Sequence, residues 1–443
     1  MSRGDQRRVL ETLYRVAVDA SRPERCVPEA LHETGVGAWI GAARGRTYVF
    51  GAGKAAASMA RAVERFWVEH GGEDALEELS GTVVTRYGYR EPCERIAVLE
   101  AGHPVPDAAS ERAARRLLAE LEALGAGDRA LGLISGGGSA LLAAPAPGLT
   151  LEDKRRVTVA LLRSGASIGE INSVRKQLSA VKGGRLGAAA APTPTVTLII
   201  SDVAGDDPAT IASGPTVADV STPEDALEVL HRYSIHPPGR VTAYLEERAG
   251  AAGAFPAMDH VENRVVASAH QGLEAAAREA RQQGYTPLIL GDALEGEARE
   301  LARTIAGIAR EAVRYGHPVA PPAVVLSGGE ATVTLQGEGR GGPNTEFALA
   351  LALHLAGEEG IHALAADTDG IDGTGDNAGA HVAPWTLEMA RSRGIVADEH
   401  LAENDSYGFF ERTGGLFAPG PTGTNINDFR AVLIEDPQAL ARS

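Results

Sequence analysis

The sequence predicts an α/β protein in two domains, the first built on a parallel sheet with helices on both faces. Short apolar runs end in glycine-rich or acidic turns: Val49-Phe50 before Gly51-Ala52-Gly53-Lys54, Leu131-Gly132-Leu133-Ile134 before Ser135-Gly136-Gly137-Gly138-Ser139, Thr197-Leu198-Ile199-Ile200 before Ser201-Asp202, and Ala363-Leu364-Ala365-Ala366 before Asp367-Thr368-Asp369-Gly370. Stretches of helical periodicity lie between them. At 443 residues the chain exceeds one typical core. Open α/β sheets bind ligands at the carboxyl ends of their strands, where these turns fall.

In order along the chain, Arg7 to Ala20 and Pro28 to Thr34 read as helices and Arg46 to Phe50 as the first buried strand. Ala55 to Val68 carries Ala, Met, Val and Phe at helical spacing. Strands are predicted at Gly81 to Thr85, Ile96 to Leu99, Leu131 to Ile134 and Thr195 to Ser201, with helices at Ala108 to Leu124, Leu151 to Arg163 and Ile171 to Leu186. A helix from Thr222 to Tyr233 precedes the Pro237-Pro238-Gly239 break, and small residues from Ala249 to Pro256 read as a linker. The pattern then restarts with strand Arg264 to Ala267, helix Gly272 to Gln283, strand Pro287 to Leu290, helix Glu297 to Tyr315 and strand Ala323 to Leu326. Alternation at Ala331 to Gln336 looks like a hairpin strand. The expected domains are residues 1–250 and 251–443.

Composition narrows the function. The 42 basic against 59 acidic residues leave a formal charge of -17, which speaks against a general electrostatic role on nucleic acid or an anionic membrane. Two cysteines, Cys26 and Cys93, build neither a disulfide framework nor a cysteine metal site, so a reducing cytoplasm is expected. No apolar stretch of signal-peptide length follows Met1 to Arg8, and no run approaches the roughly eighteen apolar residues of a membrane span.

Seven segments carry candidate chemistry. Gly51-Ala52-Gly53-Lys54-Ala55-Ala56 meets the G-x-G-x-x-A pattern after a strand. It reads as a structural turn, as a dinucleotide cradle, or as a phosphate turn in which Lys54 supplies charge. The dinucleotide reading expects an acid at the end of the next strand, and Arg86 stands there. Three glycines in Ser135-Gly136-Gly137-Gly138-Ser139 are costly in backbone entropy unless the backbone N–H groups are needed, and such groups make an anion site, with a plain tight turn as the alternative. Arg175, Lys176, Lys182 and Arg185 crowd four cations into eleven residues, either as a solvated face or facing an anionic substrate. The acidic loops Ser201-Asp202 to Asp207 and Asp367 to Asp376 follow strands; Mg²⁺ takes one or two carboxylates plus substrate phosphates, and solvated turns are the plain alternative. Ser327-Gly328-Gly329-Glu330 and Gly339-Arg340-Gly341-Gly342 add a further glycine turn and an arginine with little packing around it, able to grip a ligand bidentately. His103 in Gly102-His103-Pro104 reads as a loop-packing residue.

In this order, Gly51 to Lys54, Gly102 to Asp107, Ser135 to Ser139, Asn172 to Arg185, Ser201-Asp202, Ala212 to Thr216, Ser327 to Glu330, Gly339 to Leu349, Thr368 to Gly373 and Gly420 to Asp428 resemble the glycerate 2-kinase family, whose C-terminal part is called MOFRL. The resemblance spans nearly the whole chain. It implies a Rossmann-like α/β/α domain joined to a smaller α/β domain, with the active site in the cleft between them, and transfer of the γ-phosphoryl of ATP, with Mg²⁺, to the 2-hydroxyl of D-glycerate. It places catalytic roles on Lys54, Arg340, Asp202 and Asp367. Gly51, Gly53, Ser135, Gly136, Gly137, Gly138, Ser139, Lys182, Ser327, Gly328 and Gly329 are the candidate nucleotide contacts, and Asp206, Asp369 and Glu330 the candidate metal ligands. Pro343 and Thr345 stand where the family typically has Arg and Gln. The expected partners are D-glycerate and ATP, with no nucleic acid or membrane and with room for a homodimer. An NAD(P)H-dependent hydroxypyruvate reductase and a non-catalytic sugar-acid-binding protein are the alternatives.

Overall fold

The computed structural model describes residues 5–42, 45–249, 255 and 257–436. The chain forms two compact units. The first comprises Pro23–Ser201 and Asp206–Val266; the second comprises Met1–Arg22, Asp202–Gly205 and Ala267–Ser443. The packing divides the chain after Val266 where the sequence reading put the cut at residue 250, and it groups the first helix and Asp202–Gly205 with the C-terminal half. Most of the expected linker, Ala249 to Pro256, lies outside the described residues.

The first unit holds β1 (Thr47–Ala52), β2 (Leu79–Arg86), β3 (Ile96–Ala101), β4 (Arg129–Ser135), β5 (Thr195–Ile200) and β6 (Val261–Ala267), in sheet order β3-β2-β1-β4-β5-β6. The pairings linking β3, β2, β1, β4 and β5 are parallel. Every residue of β1 and β5 is buried, which is why they read as unbroken apolar runs. The order reverses between β1 and β4, and both strands end in their glycine turns at that switch point. Helices Ala108–Glu122, Leu151–Ser164, Ile168–Gln177 and Pro223–Arg232 each start with a capping box, from Asp107, Thr150, Ser167 and Thr222. The helix expected to run from Ile171 to Leu186 stops at Gln177 and resumes only at Arg185. Gly183 and Gly184, both at positive φ, lie within the gap and lead into the next helix, and Lys182 just before them is buried.

The second unit carries β7 (Thr286–Gly291), β8 (Gly296–Glu297), β9 (Ala323–Ser327), β10 (Ala331–Thr332), β11 (Ile361–Asp367), β12 (Gly379–Val382), β13 (Leu416–Phe417) and β14 (Asp428–Ile434). Its main sheet has the order β13-β12-β11-β14-β9-β7. Only β7 and β9 pair in parallel among the described pairs of that sheet; β14, buried throughout, runs antiparallel between β11 and β9. One face is covered by helices Asp5–Ala20 and Ala269–Gln282 through Leu10, Leu13, Tyr14 and Ala17 against Leu273, Ala276 and Ala277. The other is covered by Ala298–Tyr315 and Pro343–Leu355. The hairpin expected at Ala331 to Gln336 is instead the two-residue β10, parallel to β8. Among the described residues no helix is long and apolar enough to cross a membrane.

Candidate functional site

In the first unit the two glycine turns are laced together by their backbones. Lys54 N–H donates to the Gly136 carbonyl at 2.8 Å, Ala55 N–H to Ser135 Oγ at 3.0 Å, and Gly53 N–H to the Val84 carbonyl at 3.0 Å. The crossing is so close that a β-carbon on Gly53, at φ +145°, would lie 2.0 Å from the Ser135 hydroxyl, and one on Gly51 would lie 2.0 Å from the Leu133 carbonyl oxygen. Strand packing thus accounts for both glycines without a dinucleotide. Lys54 and His103 meet over Gly137, where a β-carbon would lie 2.9 Å from His103 Nε2 and 3.4 Å from Lys54 Cγ. The sequence reading gave His103 only a packing role; the structure puts its ring beside the lysine.

The turn is held from its other side as well. Ser139 and Ser213 hydroxyls bond at 2.7 Å, and Ala212 and Ser213 both adopt left-handed φ, at 51° and 62°. Two consecutive non-glycine residues in that region carry backbone strain of about 1–3 kcal/mol each, which the surrounding packing sustains. Gly183 and Gly184 N–H groups donate to the Ser213 and Gly214 carbonyls at 3.0 and 2.7 Å, and the buried Lys182 donates Nζ to the Ser139 carbonyl at 2.7 Å. Gly51 to Lys54, Ser135 to Ser139, Lys182 and Ser213 thereby form one backbone-laced cluster. Asp206 also belongs to this unit, half-buried at φ 54°.

In the second unit the acids gather at one sheet edge. The antiparallel register sets Asp367, ending β11, beside Asp428, opening β14, and Ser327, ending β9, beside Arg430. Asp367 Oδ1 accepts from Asp369 N–H at 2.9 Å, and the buried Asp369 turns Oδ1 to Ile371 N–H at 2.8 Å. Tyr14 donates to the Asp367 carbonyl at 2.9 Å; burial, then the charges of Asp367 and Asp369, push its phenol well above the usual value. Asp202, in the segment Asp202–Gly205, receives Asn425 Nδ2 at 3.3 Å, while Asn427 donates to its carbonyl. Gly328 N–H donates to Gly291 O at 2.9 Å, Arg430 Nη1 to Gly328 O at 3.0 Å, and Asp428 N–H to Gly329 O at 3.1 Å. These bonds give Ser327 to Gly329 a scaffold role, and Glu330 beside them is exposed.

Arg340 is exposed but not bare, correcting the expectation of little packing: its guanidinium lies 4.1 Å over the Tyr407 ring. Tyr407 N–H donates to the Arg340 carbonyl at 2.9 Å and Tyr407 Oη to Asp376 at 2.8 Å. A β-carbon on Gly342 would lie 2.4 Å from Asp372 Oδ1, so the segment is pressed onto that acid. Asp372 accepts Asn344 N–H at 2.9 Å, Thr345 N–H at 2.8 Å and Thr345 Oγ1 at 2.8 Å at the start of helix Pro343–Leu355. Burial pushes its carboxyl up to about 6, against those hydrogen bonds, with the Asp428 charge adding to the rise. Pro343 occupies the first helical turn, where its missing N–H costs nothing. The two residues that depart from the family pattern thus have a local purpose.

Sequence reasoning placed Asp372 and Asp428 inside matched motifs without giving either a role of its own, and it did not name Arg430. Asp428 takes Asn344 Nδ2 at 2.6 Å and Ala331 N–H at 2.9 Å and pairs with Arg430. The polar run Asn425-Ile426-Asn427-Asp428, directly before an apolar strand, was the signal that pointed to it.

Over residues 9–246 the chain matches the family described as a domain of unknown function, DUF4147, and over residues 323–428 it matches the MOFRL family. It is 42% identical to a glycerate 2-kinase of Pyrococcus horikoshii, with 88% of each chain covered. A protein of Agrobacterium vitis with a provisional hydroxypyruvate reductase name is 51% identical over 97% of this chain and 94% of its own. The crystal structure of glycerate kinase from Thermotoga maritima aligns with a TM-score of 0.85 at 37% identity, covering 97% of this chain and 100% of that one. With both domain families in register, two kinase-named relatives of near-full coverage and the same fold, the chain belongs to the glycerate 2-kinase family, a DUF4147 domain followed by a MOFRL domain.

Proposed function

We propose that the protein transfers the γ-phosphoryl group of ATP to the 2-hydroxyl of D-glycerate, giving 2-phosphoglycerate and ADP. The observation that carries this reading is the Lys54 turn laced to the Ser135–Ser139 turn at the switch point of a parallel sheet, in a chain of this family. Phosphoryl transfer asks little covalent chemistry of a protein; positioning and charge stabilisation do most of the catalysis. Lys54 sets a cation beside the backbone N–H groups of the glycine turn and offsets charge on the transferring group. Arg340, stacked on Tyr407, presents a planar guanidinium suited to a carboxylate. Asp202 and Asp367 are the candidate bases for the 2-hydroxyl proton.

The Asp369 carboxylate, which accepts the Ile371 N–H through Oδ1, is a hard oxygen donor of the kind Mg²⁺ takes one or two of beside substrate phosphates. Glu330 and Asp206 are the other candidates. Mg²⁺ would supply charge neutralisation along the nucleotide phosphates.

The reductase reading has the provisional name of a 51% identical relative behind it. Against it, β2 ends in Arg86 where a ribose-binding acid is needed, and packing already explains Gly51 and Gly53. A cytoplasmic setting suits Cys26 and Cys93, neither of them in a disulfide among the described residues, whose thiols burial pushes up to about 12. Phosphorus NMR of the purified protein with ATP, Mg²⁺ and D-glycerate tests the proposal. A 2-phosphoglycerate resonance is expected; its absence, alongside loss of nicotinamide absorbance with hydroxypyruvate, would establish the reductase instead.

A further inference from the structure

Behind the glycine turn of the first unit three cations gather, two of them buried lysines and the third the half-buried Arg175. Lys154, on helix Leu151–Ser164, is 9% exposed, and its Nζ makes one hydrogen bond, to the Ala144 carbonyl at 3.3 Å. Lys182 is 2% exposed, and its Nζ likewise makes one, to the Ser139 carbonyl at 2.7 Å. Arg175 has only a long contact, 3.5 Å from Nη1 to Asn172 Oδ1. Among the described residues none of the three has a carboxylate in ion-pair range. Of the buried acids nearby, Asp153 accepts from Thr150 N–H at 2.8 Å and pairs with Arg240 at 2.8 Å, while Asp219 lies at 3.9 Å from Lys176 and 4.0 Å from Arg185 and accepts from Gln177 at 3.0 Å.

The three belong to one place. The segment from Ser139 to Ala146 runs antiparallel beside Leu178 to Lys182: Ala180 N–H and Ser179 Oγ donate to the Ala144 carbonyl at 3.1 and 3.3 Å, and Ala146 N–H to Leu178 O at 3.1 Å. Lys154 therefore reaches the carbonyl that Ser179 and Ala180 already hold, five residues from the carbonyl that Lys182 holds. Burial first, then repulsion from Arg175 and Arg185, outweighs the attraction of Glu111 and pushes the Lys154 ammonium down to about 7. Burial, with repulsion from Arg175 and Lys154, holds Lys182 well below the usual lysine value.

An ammonium carries three donors, and a buried cation left with one carbonyl and like-charged neighbours is expensive unless something pairs with it. In a chain of net charge -17, such an arrangement amounts to a stored demand for an anion. One carboxylate brings a single charge; a phosphate brings about two and three acceptor oxygens. We propose that Lys154, Arg175 and Lys182 form a phosphate-binding site beneath the Ser135–Ser139 turn, in which Lys154 is a binding residue that no glycine motif announces. Naming the phosphate's source, the nucleotide or the phosphorylated hydroxy acid, rests on the kinase reading; the site itself does not.

The test measures binding without turnover. Titration calorimetry and thermal shift are run on the full chain with inorganic pyrophosphate, ADP, 2-phosphoglycerate and D-glycerate, comparing wild type with Lys154→Met and Lys154→Arg. Lys154→Met should weaken the phosphate-bearing ligands by about 10- to 100-fold, the worth of one charge-assisted hydrogen bond. It should leave D-glycerate within about two-fold, and Lys154→Arg should recover most of the loss. A deficit confined to ADP or to 2-phosphoglycerate identifies which phosphate occupies the site and supports it either way. Unchanged affinity for pyrophosphate, ADP and 2-phosphoglycerate alike in a folded Lys154→Met protein would overturn the site, as would a loss for D-glycerate alone. Should Lys154→Met not fold, Arg175→Met is read in the same way. Intact phosphate binding with no product in the NMR experiment would sink the kinase reading and leave the site standing.

Discussion

The two units bury charge in opposite ways. In the second, buried acids are tied down on all sides: Asp372 by Asn344 and Thr345, Asp428 by Asn344, Ala331 and Arg430, Asp369 by Ile371. In the first, Lys154, Arg175 and Lys182 have a carbonyl or an amide apiece and no acid. A satisfied buried charge holds a scaffold in one geometry; an unsatisfied one is a cost that a ligand repays. On the proposed function, the glycine-turn cluster is where a ligand would repay buried charge, while the tied acids at the β9, β11 and β14 edge hold the loop that carries Asp367.

Four measurements break or sharpen that contrast. Lys54→Ala is expected to lower kcat by roughly a thousand-fold, about 4 kcal/mol of barrier, with its circular dichroism unchanged. Near-normal turnover there would remove the cluster from the chemistry. Asp428→Ala, which strands a buried Arg430 and frees Asn344, should instead cost about 3–5 kcal/mol of stability in denaturant melts. If it melts like wild type, the edge is not the scaffold claimed for it.

Arg340→Ala should lower kcat/KM by about a hundred-fold, while its melting changes by no more than ~1 kcal/mol, since only an exposed cation–π contact is lost. Arg340→Lys should recover little, because a lysine cannot make the planar bidentate grip. The smallest effect concerns pH. A lysine held at about 7 when folded and near 10.4 when unfolded binds fewer protons in the native state between those values. Its contribution to stability is lost as pH falls through about 7 and grows as pH rises toward 10. Wild type should therefore gain stability from pH 7 to 9 without ligand, and Lys154→Met should show a flatter profile; equal slopes would mean that Lys154 is not buried as a cation.

Much of this was legible beforehand because it is local. Apolar runs marked β1, β4, β5 and β11, and glycines at positive φ or close crossings marked the turns after β1 and β4. Lys54 stood inside such a turn. Lys154 did not: it occupies an ordinary amphipathic helix, and nothing near it in sequence shows that Ala144 and Lys182 will close over it. Asp372 looked like one more turn aspartate until helix Pro343–Leu355 started on top of it. Helix Asp5–Ala20 was legible as a helix, but its unit was not, because the apolar stripe of Leu10, Leu13, Tyr14 and Ala17 fits any sheet face of the right shape.

By itself the sequence determined where backbone must bend, which stretches are buried on both sides, and which family's order of motifs the chain follows, since these depend on residues a few positions apart. Only the tertiary structure decided which charges would be paired. Pairing is settled by partners far apart in the chain, such as Asn425 with Asp202 or Asn344 with Asp428, and by the burial that makes an unpaired charge costly.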